Sequence, residues 1–238
     1  LLSFILISYF SFSQVSDYHG FMNFSYNDDS GKIILEIDNL DTEFLYINSL
    51  SRGVGNNDLG LDRGQLGNSR IVYFTKRGNK ILLIQPNLRY ISTSSNNLEN
   101  KAVEEAFARS VLFGFEIIEK SEDSYKVDLT PFLINDAHGV SLRLKYLKSG
   151  SYTLNKSMSA IDLERTKSFP ENIEFDVLLT FTGNPSGNLV RSVTPTASNL
   201  TVNQHHSFVK LPDNNFYKRK FDPRSGSNPF IVYDYSTP

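Results

Sequence analysis

Apolar and polar residues alternate with period two along most of this chain, the spacing of strands that bury one face and expose the other. Residues 21–26 and 32–37 flank Asn27-Asp28-Asp29-Ser30-Gly31, a turn-forming cluster, and predict a β-hairpin. A third strand is expected over 43–50. Residues 70–76 and 80–85 enclose Arg77-Gly78-Asn79 as a second hairpin, closed by Pro86, which lacks the N–H needed to continue a ladder. Residues 111–119 and 124–129 form a further pair across 120–123. The longest alternation runs over 171–182, with Ile173, Phe175, Val177, Leu179 and Phe181 on one face and Glu174, Asp176 and Thr180 on the other, so this strand is expected to be central or half-buried. The GNPSG segment at 183–187 reads as turn-rich, and 200–211 makes the last strand before Pro212-Asp213-Asn214-Asn215.

The period lengthens to that of a helix over 98–110, where Ala102, Val103, Ala106, Phe107 and Ser110 fall on one side and Glu104, Glu105 and Arg109 on the other. Thr130-Pro131 opens one helical turn at 132–135, because proline at a first helical position gives up no hydrogen bond. Residues 140–146 fit a strand or a helix. The fold class is therefore α+β, predominantly antiparallel β with one short amphipathic helix. No internal repeat and no linker requires a second domain. The expected organisation is a β-rich domain over 14–220 and a tail over 221–238 that packs Phe221, Phe230, Tyr233 and Tyr235 across it.

Residues 53–67 (GVGNNDLGLDRGQLG) break the strand pattern with five glycines and the charges of Asp58, Asp62 and Arg63. Glycine costs folding entropy and is kept where the backbone takes positive φ or approaches a neighbour closely, so this loop is shaped. Calcium loops need oxygen ligands at alternating positions ending in glutamate, and phosphate loops need Gly-Lys-Ser/Thr; neither pattern is present. An Asp–Arg network holding the loop is the expected role of its charges, and Asp58, Asp62, Arg63 and Gln65 are its candidate functional residues.

Composition narrows the partners. A net charge of −2 and an isoelectric point near 6.1 imply no basic surface that would draw nucleic acid. The absence of cysteine removes disulfides, thiolate metal sites, cysteine nucleophiles and an N-terminal lipidated cysteine. The apolar run 1–12, followed by small residues, reads as the h-region and cleavage site of a truncated secretory signal peptide over 1–13, with a buried strand as the rival. It is shorter than the about 20 residues a membrane span needs. An exported protein is expected, periplasmic, cell-surface or extracellular.

Several uncommon segments occur in one order: the glycine loop, Gln85-Pro86-Asn87, AVEEAFARS at 102–110, Asp136-Ala137-His138-Gly139, Arg165 to Pro170 (RTKSFP), Gln204-His205-His206-Ser207-Phe208, Phe221 to Gly226 (FDPRSG) and Asp234-Tyr235-Ser236-Thr237-Pro238. Together they resemble the N-terminal domain, of unknown function, of secreted bacterial zinc metalloproteases of the metzincin-like type, over about 17–238. The resemblance implies zinc in a downstream H-E-x-x-H module of the same polypeptide, acting on a protein or peptide substrate. This chain has no H-E-x-x-H, and its four histidines, His19, His138, His205 and His206, include no pair at helical i, i+4 spacing. No cofactor is expected in the chain itself.

Residue by residue, the remaining chemistry is thin. His205 and His206 are neighbours on a strand, so their side chains point to opposite faces and cannot share one ion. Asp136 and His138 could meet on one side, and a capping turn explains them equally well. No G-x-S-x-G elbow occurs, and nothing selects a carboxylate pair from the 26 acidic residues. Asp136, His138, His205, His206 and Arg224 are the polar candidates. Two readings follow: a non-catalytic N-terminal domain of a secreted zinc metallopeptidase, or a free-standing β-rich module that binds peptide or glycan.

Overall fold

A computed structural model describes residues 14–213, 215, 217, 220, 222–225 and 231–236; the expected signal peptide and the tail residues Phe221 and Phe230 lie outside them. Strands β1 (Val15–Tyr18), β2 (Phe24–Asn27), β3 (Lys32–Ile37), β4 (Phe44–Arg52), β5 (Leu66–Arg77) and β6 (Lys80–Gln85) precede the short β7 (Tyr90–Ile91) and helix α1 (Asn97–Ala106). Then come β8 (Ser110–Lys120), β9 (Tyr125–Asp128), α2 (Thr130–Leu133), α3 (Val140–Tyr146), β10 (Gly150–Leu154), β11 (Ala160–Ser168), β12 (Asn172–Pro185), β13 (Asn199–Lys210) and β14 (Tyr233–Asp234). One antiparallel sheet runs β1-β2-β3-β9-β8-β6-β5-β4-β13-β12-β10, with β11 also paired to β12. The domain is thus mostly antiparallel β with short helices.

The sheet rolls until its ends share one core. Phe24 near one end meets Phe175 of β12 at 5.1 Å between ring centroids, and the Phe21 N–H donates to the Phe169 carbonyl at 2.7 Å. Inside lie Phe44, Phe74, Phe115 and Phe208, one from each of four strands, as alternation requires. Helix α2 inserts Phe132 among them, 5.5 Å from Tyr46 and 6.1 Å from Phe208. Among the described residues no helix is long and apolar enough to cross a membrane.

The expected hairpins, the 43–50 strand and the last two long strands all form, with ends shifted by a few residues. Residues 140–146 are helical, with Val140 and Leu144 buried. The GNPSG segment differs from expectation, since Gly183–Pro185 continue β12 by pairing with β10. A Cβ at Gly183 would overlap the Ser151 carbonyl, so glycine serves close strand approach there. Helix α1 ends at Ala106 and buries no residue completely, because Phe107 leaves it in an extended conformation to stack on Tyr90 at 4.0 Å. The tail returns as β14, parallel to β7, with Tyr233 5.3 Å from Tyr90.

The glycine loop is shaped, but not by its charges. Asp58, Arg63 and Gln65 are exposed and Asp62 half-buried, and among the described residues none of the three charges forms an ion pair. Leu59 and Leu61, both buried, anchor the loop in the core. The Arg143 guanidinium of α3 donates to the Leu59 carbonyl at 2.7 Å, and Gly60 takes φ 60° against it. Backbone bonds from Val54 N–H to Leu61 O and from Gly64 N–H to Leu50 O close the turn at 2.8 and 2.7 Å.

Candidate functional site

Strand β13 lies between β4 and β12, so both its edges are paired, and polar side chains buried along its middle need partners. Its sequence Asn203-Gln204-His205-His206-Ser207 puts Gln204 and His206 toward the core and the other three toward the opposite face. Register slips sit beside it, between Asn203 and Gln204 against β4 and between Ile47 and Ser49 against β5. Such bulges re-aim side chains.

On the core side the Gln204 amide is oriented by the backbone: its Oε1 accepts from His138 N–H at 2.8 Å and its Nε2 donates to the Asn135 carbonyl at 2.8 Å. His206 Nε2 lies 2.9 Å from Gln204 Nε2, a donor, and 3.2 Å from the Leu133 carbonyl, an acceptor, so the tautomer decides which of the two it bonds. His206 Nδ1 lies 2.9 Å from the Tyr46 hydroxyl, which accepts from the ring in one tautomer and donates to it in the other. Complete burial drives the His206 pKa down to about 3, against the opposing pull of the Leu133 carbonyl, so the ring is neutral. Burial likewise raises the Tyr46 phenol, against the lowering effect of Arg70, whose guanidinium carbon lies 5.9 Å from the ring centroid.

His138 is half-buried beside this network. Burial lowers its pKa while the Asp136 charge opposes, and Asn48 Nδ2 lies 3.3 Å from its Nδ1. Asp136 itself caps α3, its carboxylate accepting from Val140 and Ser141 N–H at 2.7 and 2.9 Å. Asp136, His138 and His206 thus stand in one junction, with Gln204 as the link. Gly67 is required there, since a Cβ would overlap the Asn48 amide.

On the other face His205 sits between two carboxylates, Nε2 to Glu174 at 2.7 Å and Nδ1 to Asp176 at 3.1 Å. Burial alone would lower its pKa; hydrogen bonds to Asp176 and Glu174, with their charges, outweigh it and carry the pKa up to about 9. Burial pushes both acids up, and the His205 bonds with those from Ser207 and Asn172 to Glu174, and from Asn203 to Asp176, hold them below the usual carboxylate range. Asn203 also bridges Asp176 to Asp162, at 2.9 Å each. The slip in β11 between Asp162 and Lys167 turns Thr166 over this cluster, where its hydroxyl accepts from Asp176 N–H at 3.1 Å.

These arrangements spend the imidazoles. His205 is an imidazolium at neutral pH with both nitrogens donating, so it is neither a general base nor a metal ligand. His206 is neutral but sealed, with both ring nitrogens within hydrogen-bond distance of internal partners. The Ser207 hydroxyl donates to Glu174 rather than to a base that would activate it. Among the described residues no three His, Cys, Asp or Glu side chains converge as metal ligands. Arg224 lies far along the chain, paired with Asp222 at 2.6 Å on the exposed tail, and does not join either centre.

Gln204, Asn203, Tyr46, Asn48, Glu174 and Asp162 escaped the sequence reading as partners of the histidines. Asp176 carried a signal, a carboxylate between Phe175 and Val177 in an apolar strand; only the register Asp176↔His205 and Glu174↔Ser207 gives it meaning.

Fold and site together define a rolled antiparallel β domain in which strand β13 is pinned by a buried histidine network on one face and a half-buried one on the other. Residues 64–238 match a family model described as a domain of unknown function, DUF5117, and the chain belongs to that family. Neither a curated protein nor a solved structure matches it.

Proposed function

We propose that this chain is the non-catalytic N-terminal domain of a secreted zinc metallopeptidase, a scaffold for a downstream H-E-x-x-H module that carries out proteolysis. The observation that carries the reading is the commitment of His205 and His206 to internal bonds, which makes the polar centres of the domain structural. The ordered resemblance of its segments to such N-terminal domains supports it. So does the exposed side of α3, where Leu142 and Tyr146, one turn apart, are 72% and 77% exposed, and which Arg143 ties to the glycine loop at Leu59. An apolar surface of this kind is suited to docking a neighbouring module.

Hydrogen exchange on this chain and on the product of the complete reading frame tests the docking role. Peptides covering 54–66 and 140–146, with the tail at 231–235, should gain protection in the larger protein, where the modules meet at high effective concentration. Identical exchange would favour the second reading, a free-standing peptide- or glycan-binding module, for which the stacked Tyr90, Phe107 and Tyr233 offer an aromatic surface.

A further inference from the structure

Residues 87–108 build a slot for an extended chain. Its floor is β7, which pairs with no strand of the main sheet. The slot is shaped locally: Asn87 Oδ1 accepts from Arg89 N–H at 3.2 Å, Asn87 Nδ2 donates to the Ala108 carbonyl at 3.2 Å, and Tyr90 stacks on Phe107 at 4.0 Å and 6°. Asn100 Nδ2, donating to the Ser94 carbonyl at 3.0 Å, ties α1 to the segment that follows β7. None of these contacts involves the tail, so the slot is preorganised to receive it.

The tail fills that slot as a short peptide ligand would. Tyr233 and Tyr235 N–H donate to the Arg89 and Ile91 carbonyls at 2.7 and 2.9 Å, adding a strand to β7. Tyr233 extends the Phe107–Tyr90 stack, 5.3 Å from Tyr90 and 15° from parallel, with the Arg89 guanidinium carbon 5.6 Å from its centroid, and Tyr235 packs 5.3 Å from Phe107. Between the two rings Asp234 addresses Thr93: one carboxylate oxygen accepts from Thr93 N–H at 3.2 Å and the other from the Thr93 hydroxyl at 2.6 Å. The bonds from Thr93, with those from Ser236, hold the Asp234 carboxyl below the usual carboxylate range. The attachment is shallow. Tyr233 and Tyr235 remain 46% and 57% exposed, and between Lys210 and Ile231 the described residues include no strand. Few buried contacts at the end of a long tether let such a segment open without unfolding of the domain.

We propose that this slot is a binding site for an extended polypeptide segment of the pattern aromatic-Asp-aromatic, and that residues 233–235 are a resident occupant which a matching segment of another polypeptide displaces. Thr93 selects the carboxylate, whose two oxygens accept separately from its N–H and its hydroxyl, and the Phe107–Tyr90 stack selects flat rings on either side. The proposal is independent of the peptidase reading, since 87–108 alone make the slot.

Fluorescence anisotropy with a labelled peptide of the tail sequence, Ile-Val-Tyr-Asp-Tyr-Ser, tests it on the full chain. A chain carrying Tyr233→Ala and Asp234→Ala, which frees the slot and leaves its walls unchanged, should bind the peptide. The parent chain should bind it at least about tenfold more weakly, because its own tail competes at high effective concentration. A peptide with asparagine in place of aspartate should bind the substituted chain about fivefold more weakly, and Thr93→Val should weaken the original peptide by about the same factor with an unchanged melting temperature. A second readout needs no substitution in the tail: in the parent chain, excess peptide should speed hydrogen exchange at the Tyr233 and Tyr235 amides. Unchanged exchange together with no binding by the substituted chain, equal binding by the two chains, or equal binding of the aspartate and asparagine peptides overturns the proposal and makes the tail a fixed part of the fold.

Discussion

Acidification should destabilise this domain through His206, by an amount that follows from its burial. The ring's ordinary pKa of 6.5 applies in the unfolded chain, and the folded value is down to about 3. Because the folded pKa is depressed, the stability contributed by the neutral ring is full above pH 6.5 and is lost as pH falls toward 3. Each unit in that window is worth about 1.4 kcal/mol, so the two units between pH 6.5 and 4.5 cost about 3 kcal/mol. His206 is fully buried, and no screening by solvent reduces the figure. Urea melts of the parent and of His206→Gln at pH 7 and pH 4.5 isolate the effect, since Glu174 and Asp176 contribute to both proteins. The variant is less stable at pH 7, where it loses the ring's internal bonds; the parent should lose about 3 kcal/mol more than the variant on acidification. Equal losses would refute the neutral, sealed ring. NMR gives the same test directly, with the His206 ring carrying a single proton throughout the window.

His205, one residue earlier, should show the opposite sign: its folded pKa is raised to about 9, so its contribution is full below pH 6.5 and lost as pH climbs through 9. His205→Gln should flatten the alkaline limb of the stability profile by about 2 kcal/mol after screening, and an unchanged limb would show that the imidazolium is not held by Glu174 and Asp176. In the glycine loop, Arg143→Ala should cost about 1–3 kcal/mol by freeing the Leu59 carbonyl, while Arg63→Ala should stay within about 0.5 kcal/mol. Gly60→Val, at φ 60°, should cost about 1–3 kcal/mol in the same denaturant melts, and wild-type stability in both Arg143→Ala and Gly60→Val would mean the loop is slack.

Alternation along 32–37 made that strand legible because it buries one regular face, whereas 80–85 and 171–182 were legible as apolar runs in which Leu83 and Ile84, and Phe175 to Val177, are buried on both faces. Strands β10 and β11 were not legible: 150–168 lacks alternation, being placed by pairing to β12 and by a slip that turns Thr166 inward. The glycines announced a shaped loop, and their need for positive φ holds at Gly60 and Gly64. The charges beside them misled, because the cation that grips the loop, Arg143, is about eighty residues away and its contact depends on tertiary packing. Strand periodicity separated His205 from His206 correctly in direction; their opposite protonation states required the register that brings Glu174 and Asp176 to one and Gln204 and Tyr46 to the other.

The role proposed for this domain is to support a zinc peptidase without being one. Zinc content by mass spectrometry of inductively coupled plasma, with casein digestion before and after chelation, measured on the dialysed chain and on the product of the complete reading frame, tests it most directly. The expected result is no stoichiometric zinc and no cleavage by the chain, and zinc with chelator-sensitive cleavage by the complete product. One tightly held zinc with chelator-sensitive cleavage in the chain alone, or a complete product with neither, would contradict it.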